Sequence, residues 1–216
     1  MHLIKTLREL GCSPQQIREY GQNRTPESVL GMLRGYSMRL SGELAELQAK
    51  MDMLQSRISL IEEGQAVGPG KIELCTLPAQ AIRFSALGQN GEKNGIERLR
   101  RAIGQIRQDG NIGCPLGYAY NSFLEFYEKP EQPAQLLSYD PQGPDIRPAG
   151  EYLVGTVSCY YDQTSGLLQR MHAFAARSRL RFHGPAYTIY LLDVASVTQP
   201  EQYLLQIAVE VERIKD

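Results

Sequence analysis

The sequence predicts an α+β chain built as a helical hairpin, a long coiled-coil helix and a duplicated β-α-β-β domain. Three observations predict it. From Leu40 to Ile61 the apolar residues recur at alternating steps of four and three, the a/d seam of a coiled coil. Gly68-Pro69-Gly70 then closes the helical region, and beyond it apolar residues mostly alternate, the period of a strand. Within that second region the order strand, helix, strand, strand occurs twice.

Residues 1–24 read as the hairpin. Leu3, Ile4, Leu7 and Leu10 have helical spacing, and Gly11 supplies a left-handed stop. Ser13-Pro14-Gln15-Gln16 restarts the chain with an N-cap, a proline at the first position and a capping-box glutamine. Ile17 and Tyr20 give the second helix a small apolar face, and Gly21 is expected to end it. So small a hairpin has too little core to stand alone and has to pack on the helix that follows or on a part outside this sequence.

Residues 25–64 read as the coiled-coil helix. Thr25 is an N-cap, Pro26 occupies the position a helix tolerates best, and Glu27 suits the first turn. Leu33, Leu40, Leu44, Leu47, Met51, Leu54, Ile58 and Ile61 form the expected dimerisation stripe, with Ser37 the polar residue in the seam. Gly64 is expected to end the helix, which at 1.5 Å per residue is roughly 55–60 Å long. A small domain cannot cover such a stripe, so it calls for a partner helix.

Residues 65–70 form a short linker, and residues 71–216 the β-rich domain. Its first unit is expected as a strand region over Ile72–Leu87 broken at Pro78, a helix over Gly95–Gln108, and strands over Leu116–Tyr127 and Leu136–Ile146. The second is a strand over Tyr152–Tyr161, a helix over Ser165–Arg179, and strands over Ala186–Leu192 and Tyr203–Val211. Two such units side by side leave a groove between halves.

Composition narrows the chemistry. A net charge of −1 over 216 residues gives the chain no electrostatic case for nucleic-acid binding. Cys12, Cys75, Cys114 and Cys159 are scattered and unpaired in sequence, and His2, His172 and His183 are dispersed. No metal or cofactor is therefore expected, and the cysteines fit a reducing compartment. With no membrane-length apolar run and no signal-peptide pattern, a soluble cytoplasmic protein is expected. No nucleophile motif or phosphate loop is found, so no enzymatic activity is expected.

Twelve tyrosines and no tryptophan are the strongest local signal. Tyr118 and Tyr120 lie two apart on one expected strand, Tyr152 and Tyr160 share a face of another, and Thr188 and Tyr190 lie side by side on a third. Converging tyrosines offer flat faces and hydroxyls to a hydrophobic or aromatic small molecule, cationic or not. Glu125, read as the continuation of the Tyr118 strand, is the candidate counter-charge. These seven are the expected ligand-binding residues.

The stretch Leu3-Ile4-Lys5-Thr6-Leu7-Arg8-Glu9-Leu10-Gly11-Cys12-Ser13-Pro14-Gln15-Gln16-Ile17 resembles the second helical pair of MerR-type transcription regulators, which precedes a long dimerisation helix. Gly184-Pro185-Ala186-Tyr187-Thr188-Ile189-Tyr190-Leu191-Leu192-Asp193 and Leu205-Gln206-Ile207-Ala208-Val209-Glu210-Val211 resemble the gyrase-inhibitor-like effector-binding domain of the multidrug-sensing members. The resemblance implies a homodimer with its long helices paired antiparallel and a small-molecule ligand. It also implies DNA as a partner only where a longer form supplies the winged helix-turn-helix that family members carry before this point. Thr188 stands where drug-sensing relatives usually place a glutamate, and the metal-sensing branch would need cysteines that Cys75 alone does not supply. The alternative is a stand-alone protein that sequesters or hydrolyses a small molecule.

Overall fold

The computed structural model describes residues 2–9, 11–22, 25–86, 115–158, 164–193 and 195–214. They divide into two compact units, Met1–Met51 and Asp52–Asp216.

In the first unit, α1 (His2–Glu9) and α2 (Pro14–Gln22) are the expected hairpin, α2 running past Gly21. Ser13 Oγ accepts from the Gln16 N–H at 3.2 Å while Gln16 Oε1 accepts from the Ser13 N–H at 2.8 Å, the reciprocal capping box the sequence spells. The hairpin packs on the next helix through buried Leu7 and Cys12. Tyr36 donates its hydroxyl to Gln16 Oε1 at 3.2 Å.

That helix, α3, runs from Pro26 to Val67, 42 residues. Thr25 and Ser28 cap it reciprocally, Ser28 N–H to Thr25 Oγ1 at 3.2 Å and Thr25 N–H to Ser28 Oγ at 3.1 Å. The helix does not stop at Gly64. It stops at Gly68, which holds a left-handed φ of 64° that costs glycine nothing. Gly64 serves packing instead, because a Cβ there would lie 3.0 Å from Leu192 Cγ and 3.1 Å from Leu191 Cβ. Leu33, Leu40, Leu44, Leu47, Met51, Leu54 and Ile58 are all exposed, Leu44 by 69% and Met51 by 60%. Ile61 is half-buried.

The linker is pinned. Gly70 donates its N–H to Thr156 O at 2.8 Å, and Thr156 returns its N–H to Lys71 O at 3.0 Å and its hydroxyl to Gly68 O at 2.8 Å. Beyond it come β1 (Ile72–Leu77), β2 (Gln80–Ala86), β3 (Leu116–Tyr120), α4 (Phe123–Glu128), β4 (Gln135–Tyr139) and β5 (Asp145–Arg147). Then follow β6 (Gly150–Ser158), α5 (Ser165–Arg177), β7 (Leu180–Leu192) and β8 (Leu204–Arg213).

Eight strands make one sheet in the order β1-β6-β8-β7-β3-β4-β2-β5, with every pair antiparallel. The duplication is visible in that order. Outward from the central β7–β3 pair run β8, β6 and β1 on one side and β4, β2 and β5 on the other. The repeats are therefore β2 to β4 and β6 to β8, with β1 and β5 added as edges. Pro78 breaks the first strand region as expected, but β1 pairs with β6 rather than opening the first repeat. The helix expected over Gly95–Gln108 lies outside the described residues.

Two further expectations are corrected. Leu116–Tyr127 is not one strand: β3 ends at Tyr120, and Ser122 accepts the Glu125 N–H at 3.1 Å to cap α4. Phe123 and Phe126 then bury at helical spacing. Leu136–Ile146 is split by a turn in which Gly143 donates its N–H to Asp140 O at 2.8 Å, leaving β4 and β5.

Each sheet face has its own core. On one, α5 buries Leu167, Leu168, Met171 and Ala175 against Leu153, Ile207, Val209 and Val211, joined by α4 through Phe123 and Phe126. On the other, Leu60 of α3 joins Ile82, Leu137, Ile189, Leu191 and three tyrosines. Burying Leu60 contributes roughly 1.5–3 kcal/mol to seating the end of α3 on the sheet.

Candidate ligand site

The expected site residues divide between these faces. Tyr120 and Tyr190 belong to the α4/α5 core, with Tyr118 half-buried against it. Tyr120 stacks on Phe126 with ring centroids 3.8 Å apart and gives its hydroxyl to Pro130 O at 2.6 Å. Burial pushes its phenol pKa up. Tyr190 meets Tyr203 edge-on at 6.5 Å. Thr188 is buried, and its hydroxyl accepts the Tyr118 N–H at 2.8 Å and donates to Tyr118 O at 3.2 Å. It bridges β7 to β3 where a ladder bond would otherwise run. Glu125 is not on a strand but in the first turn of α4, its carboxylate accepting from Asn121 Nδ2 at 2.7 Å.

Tyr152 faces the other way, fully buried with Tyr139 and Tyr187 in the core that contains Leu60. It is therefore not beside Tyr190. Its face is fixed by register with β8, where Tyr152 pairs with Glu210, a relationship that strand spacing alone does not encode. Tyr160 lies outside the described residues.

Sequence reasoning missed three residues on this face: Tyr139, Tyr187 and Arg147. Tyr187 sits inside the stretch that carries the family resemblance, one residue from Thr188 and so on the opposite face. That parity was the available signal. Arg147 had none, since a three-residue edge strand brings it in. The side chain is only 4% exposed, and its guanidinium carbon lies 4.9 Å from the Tyr152 ring centroid, a cation–π distance. Nη2 donates to Pro78 O at 3.1 Å.

Burial pushes the Tyr139, Tyr152 and Tyr187 phenols up, and the Arg147 guanidinium pulls each partly back. Cys75, beside them, is also raised, first by burial and then by Glu73 and Glu63. All four groups therefore stay protonated and neutral near pH 7, buried rings and weak donors whose chemistry suits an aromatic guest. Tyr152 donates to Pro148 O at 2.9 Å. More open clefts lie in the first unit: one of about 550 Å³ lined by Gln16, Tyr20, Tyr36 and Arg39, and one of about 340 Å³ along the seam at Leu33, Leu40 and Leu44. Neither gathers buried polar groups, so the tyrosine face is the better candidate site.

Over 227 aligned residues the chain is 24% identical to the multidrug-efflux transporter 2 regulator of Bacillus subtilis (strain 168), covering 98% of this chain and 80% of that protein. The chain is a homologue of a multidrug-efflux regulator. The alignment thus runs over nearly the whole chain, well beyond the short stretches that first carried a resemblance. The EcmrR chain in a cryo-EM structure of an EcmrR–DNA complex has the same fold, with a TM-score of 0.50 at 12% identity, covering 99% of this chain and 82% of that one. The crystal structure of the EcmrR C-terminal domain covers 67% of this chain and 99% of its own, with a TM-score of 0.49 at 12% identity. No family model matches the chain. Among the described residues no group of His, Cys, Asp and Glu could hold a metal ion, and no helix is long and apolar enough to cross a membrane.

Proposed function

We propose that this chain is the ligand-sensing part of a MerR-type transcription regulator. A hydrophobic or aromatic small molecule binds on the sheet face of Tyr139, Tyr152 and Tyr187. Leu60 carries the reading, because a residue of the coiled-coil helix sits in the same apolar cluster as those tyrosines. A guest that repacks the rings has differential contact with α3, and differential contact is what shifts a conformational equilibrium. The exposed seam from Leu33 to Ile58 supports homodimerisation through α3. A regulator relative supports a role in sensing rather than in catalysis.

The chain lacks tryptophan, so its intrinsic emission comes from its twelve tyrosines, three of them on this face. Titration with a panel of anionic, neutral and cationic aromatic compounds is expected to give saturable quenching with at least one member. At a hundredfold excess over Kd the same compound adds about 2.7 kcal/mol of stability. A panel without either response contradicts the reading.

A further inference from the structure

Among the described residues, Arg147 is a buried cation for which no ion pair is found. Nε and Nη1 are both shielded from solvent and find no hydrogen-bond partner among the described residues, and Nη2 is bound only to the Pro78 carbonyl. A guanidinium at 4% exposure with two orphaned donors is costly, and such groups commonly mark a missing water or ion. Each orphaned donor shares an edge of the guanidinium with Nη2, so a carboxylate can be held there by two parallel bonds, one from the orphan and one from Nη2. The neighbouring carboxylates do not fill that role. Glu63 is exposed and accepts from Gln206 Nε2, while Glu210 is half-buried with His183 Nδ1 3.6 Å away. On the opposite face Thr188 supplies no charge, its hydroxyl being committed to Tyr118.

We propose that Arg147 is the charge-recognising residue of the site and that it selects an aromatic anion, a carboxylate or group of like geometry carried on a flat ring. The ring lies among Tyr139, Tyr152 and Tyr187, and the acid takes one orphaned donor of Arg147, Nε or Nη1, together with the Nη2 hydrogen that Pro78 leaves free. This rests on the tyrosine face being the ligand site. Arg147 closes β5, a three-residue strand at the edge of the sheet whose neighbour Ile146 is exposed. Local opening costs least where few apolar contacts are buried, so the sheet edge at β5 is the proposed way in for the guest.

The test compares naphthoate, its neutral methyl ester and naphthyltrimethylammonium on the full chain. Naphthoate is expected to bind about tenfold or more tighter than the ester, with the cation weakest. Arg147→Met is expected to remove the preference for the acid while retaining ester binding, and Arg147→Lys to restore it only in part. The ordering among ligands on the unmodified chain stands as a test even if Arg147→Met does not fold. Equal affinity for acid and ester, or tightest binding by the cation, overturns the assignment to Arg147 and leaves the tyrosine site standing. Binding of none of the three overturns both.

Discussion

Arg57 and Asp193 lock α3 to the end of β7. Arg57 Nη1 donates to Asp193 Oδ2 at 3.0 Å, Nη2 donates to Oδ1, and Nη2 also reaches Ser196 Oγ at 3.2 Å. Asp193 in turn accepts the Ala195 N–H at 2.9 Å. The pair is bidentate, and its side chains are only 16% and 20% exposed. It therefore escapes most of the solvent screening that makes surface pairs nearly neutral.

Burial alone would raise the Asp193 carboxyl, but the Arg57 bonds and charge, with the Ala195 and Ser196 bonds, outweigh it and hold the group below its usual 3.8. A depressed folded pKa contributes stability above the unfolded value that is lost as pH falls through the folded one. Asp193→Asn should therefore cost about 1–3 kcal/mol at neutral pH, and the gap from the parent should close as pH drops well below 3.8. Urea denaturation across that range measures it.

Gly64 is the second point of attachment. Gly64→Val should cost about 1–3 kcal/mol through overpacking, since even a Cβ meets Leu191 and Leu192 at 3.0–3.2 Å. Leu192→Ala in the same chain should recover part of the loss. Denaturant midpoints of the two single variants and the double variant check this, and strict additivity would show that the contact is not shared.

Leu47→Asp places a charge in the seam. Sedimentation should report twice the 24.2 kDa chain mass for the parent and the single-chain mass for the variant, because an unpaired carboxylate in a helix interface is strongly unfavourable. A variant of unchanged mass would remove the seam as the dimer contact.

Thr188→Val keeps shape but removes both bonds to the Tyr118 backbone, and should cost about 1–3 kcal/mol. Faster hydrogen exchange at Tyr118 is the local signature. Thr188→Glu should destabilise more without creating a site for cations, since residue 188 is buried and its hydroxyl is spent on β3.

Local chemistry was legible in the sequence, and long-range register was not. The capping box at Ser13/Gln16, the N-cap at Thr25 and the β6-α5-β7-β8 repeat rest on neighbours within a few positions. Ser122 followed by Glu125 was the cap signal that separates β3 from α4, masked by the apolar alternation of Leu116 to Tyr120. Gly64 looked like a stop because its packing partners, Leu191 and Leu192, are far away in sequence. The tyrosines were the right kind of residue, but their faces follow from pairings such as Tyr152 with Glu210 and Ala119 with Tyr187. Arg147 reaches the site only because β5 pairs with β2 at the sheet edge.

The proposed ligand face is the one that Leu60 of α3 joins, and two substitutions separate it from its opposite. Titration of a bound aromatic compound should weaken by about 1–2 kcal/mol in Tyr187→Ala, the scale of a lost aromatic contact. In Tyr190→Ala it should stay unchanged, that residue's effect appearing in stability alone. Affinity lost in Tyr190→Ala and kept in Tyr187→Ala would put the ligand among the α4/α5 rings and contradict the account.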